Sequence, residues 1–538
     1  MTDTSRAAPQ PRRIRRLARD TFGFDRLRPG QEDAIRSVAS GRDTLAVLPT
    51  GWGKSAIYQL SALLIPGPTV VVSPLIALQR DQVQALLANE VTAAEANSQV
   101  AKGAREEAFS RLAAGDLEFL FLAPEQLTNE EVLQQATAAE PSLFVVDEAH
   151  CISAWGHDFR PDYLRLAEVA ERLRRPPILA LPATAAPPVR AEIVERLGLR
   201  DPNVVVRGFD RPNIRLAVER FGTGEDKRAA LVQAVVGSPS PGIVYVATRR
   251  SAEEVAVELA EAGVGAEPYH AGLPAARRRD TESAFAAGTL PVVVATTAFG
   301  MGIDTADVRF VYHHDVADSL DSYYQEIGRA GRDGEPAAAV LFYRPEDLGL
   351  RRFFASGARV ELDQAAEVAE AWADRGPGLD VDELSARTGL SPAAVASVVR
   401  ELGDGDEGEA PGPEDAAEQV VAAQEARRRV EQSRVDMMRA YAESRGCRRQ
   451  LLLGYFGEAL DGPCGNCDRC LDGVAGDEGD SATESPFPLH SWVGHEAWGR
   501  GQVMDSSDGK LVVFFESAGY KTLDLDLVLD RGLLVPEA

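Results

Sequence analysis

Eight short runs of almost unbroken apolar residues govern what this chain can fold into. They are TLAVL (44–48), TVVVS (69–73), EFLFL (118–122), LFVVD (143–147), ILAL (178–181), GIVYV (242–246), PVVVA (291–295) and RFVYH (309–313). A strand with one solvated face alternates apolar and polar residues. These runs do not alternate, so each is expected to be buried on both faces, as in a parallel sheet. Amphipathic stretches separate them from about Leu17 to Arg344. Repeated strand–helix–strand units of this kind make doubly wound α/β lobes. A break near Gly208–Gly224 divides the region into two lobes, and at 538 residues the chain is too long for a single core.

Past residue 350 the pattern changes. Residues 361–403 read as short helices. The stretch VDELSARTGLSPAAVASVVREL (381–402) carries helix-turn-helix punctuation: a Gly389 turn, Ser391 as N-cap and Pro392 opening a second helix. Such punctuation serves DNA contact or plain packing. Residues 401–420 hold eight acids and no base, with Gly and Pro throughout, and read as a linker. Residues 421–460 read as helical and Arg-rich. A second acidic stretch, 472–485, precedes a tail at 488–538 whose apolar–polar alternation around glycine turns predicts a small β-barrel. Five segments are therefore expected: 1–208, 209–350, 351–410, 411–475 and 486–538.

Acids outnumber bases 83 to 57, a net charge of −26, which argues against a protein coated in basic charge. Thirteen of the excess acids fall in the two acidic stretches, whereas residues 424–450 carry eight arginines against four acids. Nucleic acid, if bound, is expected to meet discrete arginine and aromatic patches. Arginines crowd the N-terminus (Arg12, Arg13, Arg15, Arg16), but no apolar signal core follows and no run approaches a membrane span. A soluble, cytoplasmic protein without a membrane partner is expected. Only five lysines occur, so a lysine within a motif is informative.

One of those five is Lys54, in LPTGWGKS (48–55), directly after a strand and before a helix. A glycine loop there aims backbone N–H groups at phosphates, with Lys54 reaching the β/γ-phosphates and Ser55 holding Mg²⁺. Leu48 stands where the first glycine of the full phosphate-loop string belongs, and a short Gly-Lys-Ser turn is also an ordinary loop. In LFVVDEAH (143–150), a strand delivers Asp147 and Glu148 at its C-terminal end. That is the position for a metal-holding acid and a water-activating one, or for a surface acidic turn. In QEIGRAGR (325–332), Arg329 and Arg332 lie three apart among glycines, suited to stabilising a transferring phosphoryl group or to a solvated loop. The three together point to an NTPase.

Taken in order, these strings resemble the RecQ family of superfamily 2 DNA helicases, over roughly residues 18–350 and 433–471. FGFDRLRPGQEDAI (22–35) is similar to the family's adenine-reading motif, which implies nucleotide contacts for Arg28 and Gln31. PTGWGKS resembles motif I, implying Thr50, Gly51, Gly53, Lys54 and Ser55 as phosphate and Mg²⁺ contacts. SPLIALQRDQV (73–83) resembles motif Ia, DEAH motif II, ATTAFGMGID (295–304) motif V and QEIGRAGRDG (325–334) motif VI, which adds Gln325 to the nucleotide set. CISAWGHDFRP (151–161) matches the family's aromatic-rich loop. Trp155 and Phe159 there suit base stacking, Arg160 a phosphate, and His157 either coupling to hydrolysis or a satisfied core. The lone Cys151 reads as core. Two positions depart from the family pattern: Trp52 replaces a small residue in the phosphate loop, and Pro182 replaces the threonine of motif III.

Cys447-x16-Cys464-x2-Cys467-x2-Cys470 provides four thiolates whose two-residue gaps let sulfurs converge on one ion, a closed structural Zn²⁺ site, with a redox CxxC pair as the alternative. CRRQLLLGYFGE and PCGNCDRC resemble the RecQ zinc module. Arg448, Arg449 and Arg469 beside it suit either DNA phosphates or a solvated helix face. The family's winged helix is not recognisable after Cys470, and the tail looks like the Tudor-like or SH3-like domain ending some superfamily 1 helicases.

The expected fold class is α/β: two RecA-like doubly wound lobes, a helical zinc module, a helix-turn-helix-like insertion and a small β tail. The resemblance implies an ATP- and Mg²⁺-dependent DNA helicase of DNA repair and recombination, moving 3′→5′ on single-stranded and branched DNA, nucleoid-associated if bacterial. Repair proteins are expected to meet it through the tail. The rival readings are an RNA- or DNA-stimulated translocase without unwinding, and a fork-binding scaffold.

Overall fold

The computed structural model describes residues 7–49, 51–153, 159–300, 305, 307–356, 360–375, 380–403, 412–473, 486–488, 491–507, 509–515 and 517–537. The chain forms two compact units, Met1–Tyr343 with Arg445–Ser481, and Arg344–Ser444 with Ala482–Ala538. Their boundaries cut across two of the five expected segments: 411–475 is divided at Arg445, and the last residues of 209–350 fall in the second unit.

The first unit is built on two parallel sheets. The first comprises β1 (Thr44–Val47), β2 (Thr69–Val72), β3 (Ala93–Glu95), β4 (Phe119–Leu122), β5 (Leu143–Asp147), β6 (Ile178–Leu181) and β7 (Asn203–Val206), in the order β3-β4-β2-β5-β6-β1-β7. The second comprises β8 (Ile214–Arg220), β9 (Gly242–Tyr245), β10 (Ala266–Tyr269), β11 (Val292–Ala295), β12 (Phe310–His313) and β13 (Ala337–Tyr343), in the order β10-β11-β9-β12-β13-β8. Both are RecA-like lobes. All eight expected runs became interior strands, buried along their length except for half-buried Asp147 at the end of β5.

The apolar-run criterion missed five strands, and four of them (β3, β7, β8 and β10) are the sheet edges. An edge strand has a neighbour on one side only and tolerates polar residues, as in IRLAVER of β8. The fifth, β13, opens on three alanines. Because β8 lies inside the expected break at Gly208–Gly224, the crossing between lobes is much shorter than that break: it runs from β7 to β8 through residues 207–213.

The cysteine segment covers the outer edge of β8. Leu216 forms a parallel bridge with Cys467, and the Val218 amide donates to Asp468 at 3.2 Å. Arg448 and Arg449 are 2% and 4% exposed, which overturns both readings offered for them. Arg448 pairs with Asp468 at 3.2 Å, and Arg449 pairs with Asp210 at 2.7 Å and donates to the Ile214 carbonyl at 2.6 Å. A buried guanidinium needs such partners, and the sequence neighbourhood did not disclose them. Arg469 is half-buried on the short helix Asp468–Leu471 and donates to the Arg445 carbonyl at 3.0 Å.

In the second unit, helices Leu362–Arg375, Val381–Thr388 and Pro392–Gly403 share one core with Pro413–Glu443 through Val368, Leu384, Val395, Val398, Ala417 and Val420. Gly389 takes φ +70°, and Ser391 Oγ accepts the Ala394 amide at 3.2 Å, which are the expected helix-turn-helix details. The linker expected over 401–420 is narrower. Pro413 opens a 31-residue helix, and Glu414 and Asp415 favour its first turn electrostatically. The tail is a five-stranded antiparallel sheet: β14 (Trp492–His495), β15 (Gly499–Ser507), β16 (Lys510–Phe515), β17 (Gly519–Asp524) and β18 (Val535–Glu537), in the order β17-β16-β15-β14-β18. Gly519 of β17 abuts Ser433, where a Cβ would collide with the side chain. Among the described residues no helix is long and apolar enough to cross a membrane.

Candidate nucleotide site and metal centre

Parallel strands deliver functional loops at their C-terminal ends. After β1 the chain turns through Gly51 and Gly53, at φ +77° and +78°, a backbone that side-chain-bearing residues rarely adopt. Gly53 precedes the helix Lys54–Ala62, so Lys54 and half-buried Ser55 stand on its first turn. The Lys54 ammonium reaches across to Glu148 after β5, with Nζ 3.5 Å from Oε2. Glu148 itself takes left-handed φ +48°, a strained backbone for a non-glycine residue of the kind that collects at functional sites.

Asp147 is held from several sides. Its Oδ1 accepts the Glu148 amide at 3.0 Å, its Oδ2 accepts Ser73 Oγ at 3.3 Å, and its carbonyl accepts the buried Tyr163 hydroxyl at 3.0 Å. Burial, then the charge of Glu148, raise its carboxyl to about 6, against the lowering influence of Lys54. His150 Nδ1 lies 3.4 Å from Glu148 Oε2. Of these residues, Tyr163 carried no sequence signal, and Ser73 stood only at the head of the motif Ia string.

The adenine-motif residues meet the same loop. The Arg28 amide donates to Gln31 Oε1 at 2.7 Å, and its guanidinium donates to the Gly51 carbonyl. Gln31 Nε2 donates to the carbonyls of Trp52 at 3.1 Å and Gly53 at 2.8 Å. Thr50 lies outside the described residues.

The second sheet contributes from the opposite side. Arg332 lies against Gly51, where a Cβ would stand 3.2 Å from its Nε. Arg329 is 7% exposed, and its Nε and Nη1 have no hydrogen-bond partner among the described residues. A buried cation left this way is unfavourable by itself and suits an anionic ligand. Gln325 is half-buried on the helix Leu320–Ile327 that leads into this turn. Two carboxylates, a lysine, a glycine loop and two arginines from facing sheets make an arrangement able to hold and cleave a nucleoside triphosphate.

Only the base of the aromatic-rich segment is described; Trp155 and His157 lie outside. The Arg160 amide closes that base on the Cys151 carbonyl at 2.8 Å, and Arg160 Nη1 donates to the Pro74 carbonyl at 3.2 Å, joining it to the motif Ia string. Phe159 is half-buried and Cys151 fully buried.

The four thiol sulfurs of Cys447, Cys464, Cys467 and Cys470 all lie within 4.8 Å of one another, with Cys464–Cys470 at 3.9 Å and Cys467–Cys470 at 3.4 Å. Four thiolates around one tetrahedral Zn²⁺ at about 2.3 Å would stand about 3.8 Å apart, so the donor set fits that ion. With every position supplied by protein, such an ion would staple the fold.

Three family models match the chain: DEAD/DEAH box helicase over residues 28–192, helicase conserved C-terminal domain over 226–334 and RecQ zinc-binding over 413–471. The chain is 38% identical over 453 residues to the ATP-dependent DNA helicase RecQ of Pasteurella multocida (strain Pm70), covering 84% of this chain and 61% of that protein. It is 34% identical over 478 residues to the probable ATP-dependent DNA helicase RecS of Bacillus subtilis (strain 168), covering 88% and 94%. The chain thus spans less than two thirds of the first relative and nearly all of the second. Among solved structures, the Mycobacterium smegmatis helicase Lhr bound to ssDNA and AMP-PNP aligns with a TM-score of 0.50 at 22% identity, covering 72% of this chain and 57% of that one, a likeness of fold alone.

Proposed function

The chain belongs to the RecQ family of DNA helicases, and from that premise we propose that it hydrolyses ATP to move 3′→5′ along single-stranded DNA and separate duplexes in repair and recombination. Gly51, Gly53, Lys54 and Ser55, with Thr50, bind the phosphates, and Arg28 and Gln31 hold the adenine. Ser55 and Asp147 hold Mg²⁺, which neutralises phosphate charge when bound. Glu148 takes the proton of the attacking water, while Gln325, Arg329 and Arg332 approach the γ-phosphate from the second lobe. Trp155, His157, Phe159 and Arg160 contact the single strand and report its presence to Asp147 and Glu148, which the same segment follows in sequence. Zn²⁺ on the four cysteines is structural. The substrate implies a cytoplasmic protein, nucleoid-associated if bacterial, and the tail is a docking module for repair proteins.

The observation that carries this reading is the convergence on one loop: Lys54 beside Glu148, and Arg332 against Gly51 from the facing lobe. The test compares ATP hydrolysis stimulated by single-stranded DNA and by RNA, together with unwinding of 3′- and 5′-tailed duplexes. Stimulation by DNA and unwinding of the 3′-tailed duplex are expected. Hydrolysis without strand separation would leave a translocase, stimulation by RNA alone would redirect the substrate, and no hydrolysis would leave a scaffold. Hydrolysis unaffected by Lys54→Ala would remove the nucleotide-site assignment.

A further inference from the structure

The departure from the family pattern at Trp52 has a structural counterpart 156 residues away in the sequence numbering, at the crossing between the lobes. The Trp52 indole lies against Gly208. A Cβ on that glycine would stand 2.7 Å from Cε2 and 3.0 Å from Cδ2 and Cζ2, so only a glycine admits the ring; its φ of +87° favours glycine as well. On its other contacts the indole carries the Arg28 guanidinium 5.3 Å from its ring centroid and directs Nε1 at the Pro29 carbonyl, 3.4 Å away. A side chain of the phosphate loop is therefore held between the adenine motif and the interlobe crossing.

That crossing is fastened residue by residue. Phe209 stacks on Phe456 of the cysteine segment, with centroids 4.6 Å apart and planes at 9°, and its carbonyl accepts the Tyr324 hydroxyl at 2.8 Å. Asp210 pairs with Arg449 at 2.7 Å. Arg211 donates to the carbonyls of Ala330 at 3.0 Å and Gly331 at 2.9 Å, the turn between Arg329 and Arg332. The Pro212 carbonyl accepts Asn466 Nδ2 at 2.9 Å, and Asn213 Nδ2 donates to the Gly331 carbonyl at 2.8 Å. The six residues from Gly208 to Asn213 thus touch the phosphate loop first and then, in alternation, the zinc module and the arginine turn.

We propose that Trp52 is a positioning residue that ties the phosphate loop to the interlobe crossing, and that residues 208–213 carry each displacement of that loop to the Arg329–Arg332 turn and the zinc module. The proposal deepens the motor function above and rests on it. Such coupling requires an element that both sites bias, and a Gly–Trp contact without room for a methyl group is stiff enough to be one.

The test is a double-mutant cycle in the full, zinc-loaded chain: wild type, Trp52→Gly, Gly208→Ala and the pair, with Trp52→Phe as the conservative variant. The reading is strands separated per ATP hydrolysed, with KM for ATP followed separately. Trp52→Gly is expected to lower that ratio about fivefold and Trp52→Phe to retain most of it, while Gly208→Ala lowers it in wild type and adds nothing in the Trp52→Gly background. Additive effects, or an unchanged ratio in Trp52→Gly, overturn the proposal. Should wild type show no DNA-stimulated hydrolysis, the motor reading falls instead. The same cycle is then read from MgADP affinity. There too, additivity defeats the coupling and non-additivity sustains it.

Discussion

Lys54 Nζ stands 3.5 Å from Glu148 Oε2, so the single lysine of the phosphate loop and the second acid of DEAH already face each other as an ion pair. Both side chains are largely shielded from water, at 12% and 19% exposure, which strengthens their attraction relative to a surface pair. Adjacent Asp147 bears the consequence: desolvated and beside a second negative charge, its carboxyl is raised to about 6.

That shift sets a pH dependence. A carboxyl that holds a proton up to about pH 6 must release it before binding a cation, so affinity for Mg²⁺–nucleotide rises with pH up to that point and levels off above it. Below it, affinity is expected to fall about tenfold per pH unit, with proton release on binding near pH 6. Calorimetric titration in buffers of different ionisation enthalpy measures both. A flat profile across this range would show that Asp147 does not meet the ion.

Arg329 gives the opposite sign for stability and activity. Two of its three side-chain nitrogens have no hydrogen-bond partner among the described residues although the residue is buried. Arg329→Ala is expected to leave the thermal midpoint of the ligand-free protein unchanged or raise it, while lowering kcat for ATP by about 10³-fold. A variant that unfolds several degrees earlier would show that the guanidinium serves the fold.

Arg449 is the converse case. Removing it strands Asp210, which is 40% exposed and therefore partly solvated, and takes a donor from the Ile214 carbonyl. Arg449→Ala is expected to destabilise the protein by about 2 kcal/mol, less than a fully buried pair would lose. The slope of log affinity for DNA against log salt should stay as in wild type, because no phosphate contact is lost. A slope shallower by about one would restore the DNA-contact reading.

Zinc content is equally direct. Metal analysis of the purified chain is expected to find about one tightly held Zn²⁺, and chelation or Cys467→Ser to lower the thermal midpoint. The reason lies in the bridge between Cys467 and Leu216: loosening the sulfurs uncovers the edge of β8. Zinc loss without a change in stability would contradict a structural role.

Much of this was legible because it is local. The interior strands announced themselves, since a run such as TVVV favours a place where both faces are dry, although NVVV of β7 lies at an edge with Val204 46% exposed. The phosphate loop and the DEAH acids each lie at the end of a strand that could be found first, and the sulfurs' convergence follows from two-residue gaps. The narrower linker was misread for a local reason too: acids within PEDAAEQV suit a helix N-terminus as well as a solvated tether.

The lobe type, the interior strands and the identity of the chemical groups therefore follow from local order in the chain, because spacing along one loop or strand fixes them. The edges and the crossing were settled by packing between distant segments. IRLAVER became a strand because β13 pairs with it on one side and the cysteine segment covers the other. Arg449 lost its solvent because Asp210 sits 239 residues away in the chain but 2.7 Å away in space. Trp52 acquired its partner where the crossing offered a glycine. A charge or a ring is placed by whichever surface desolvates it, and that surface comes from distant segments of the chain.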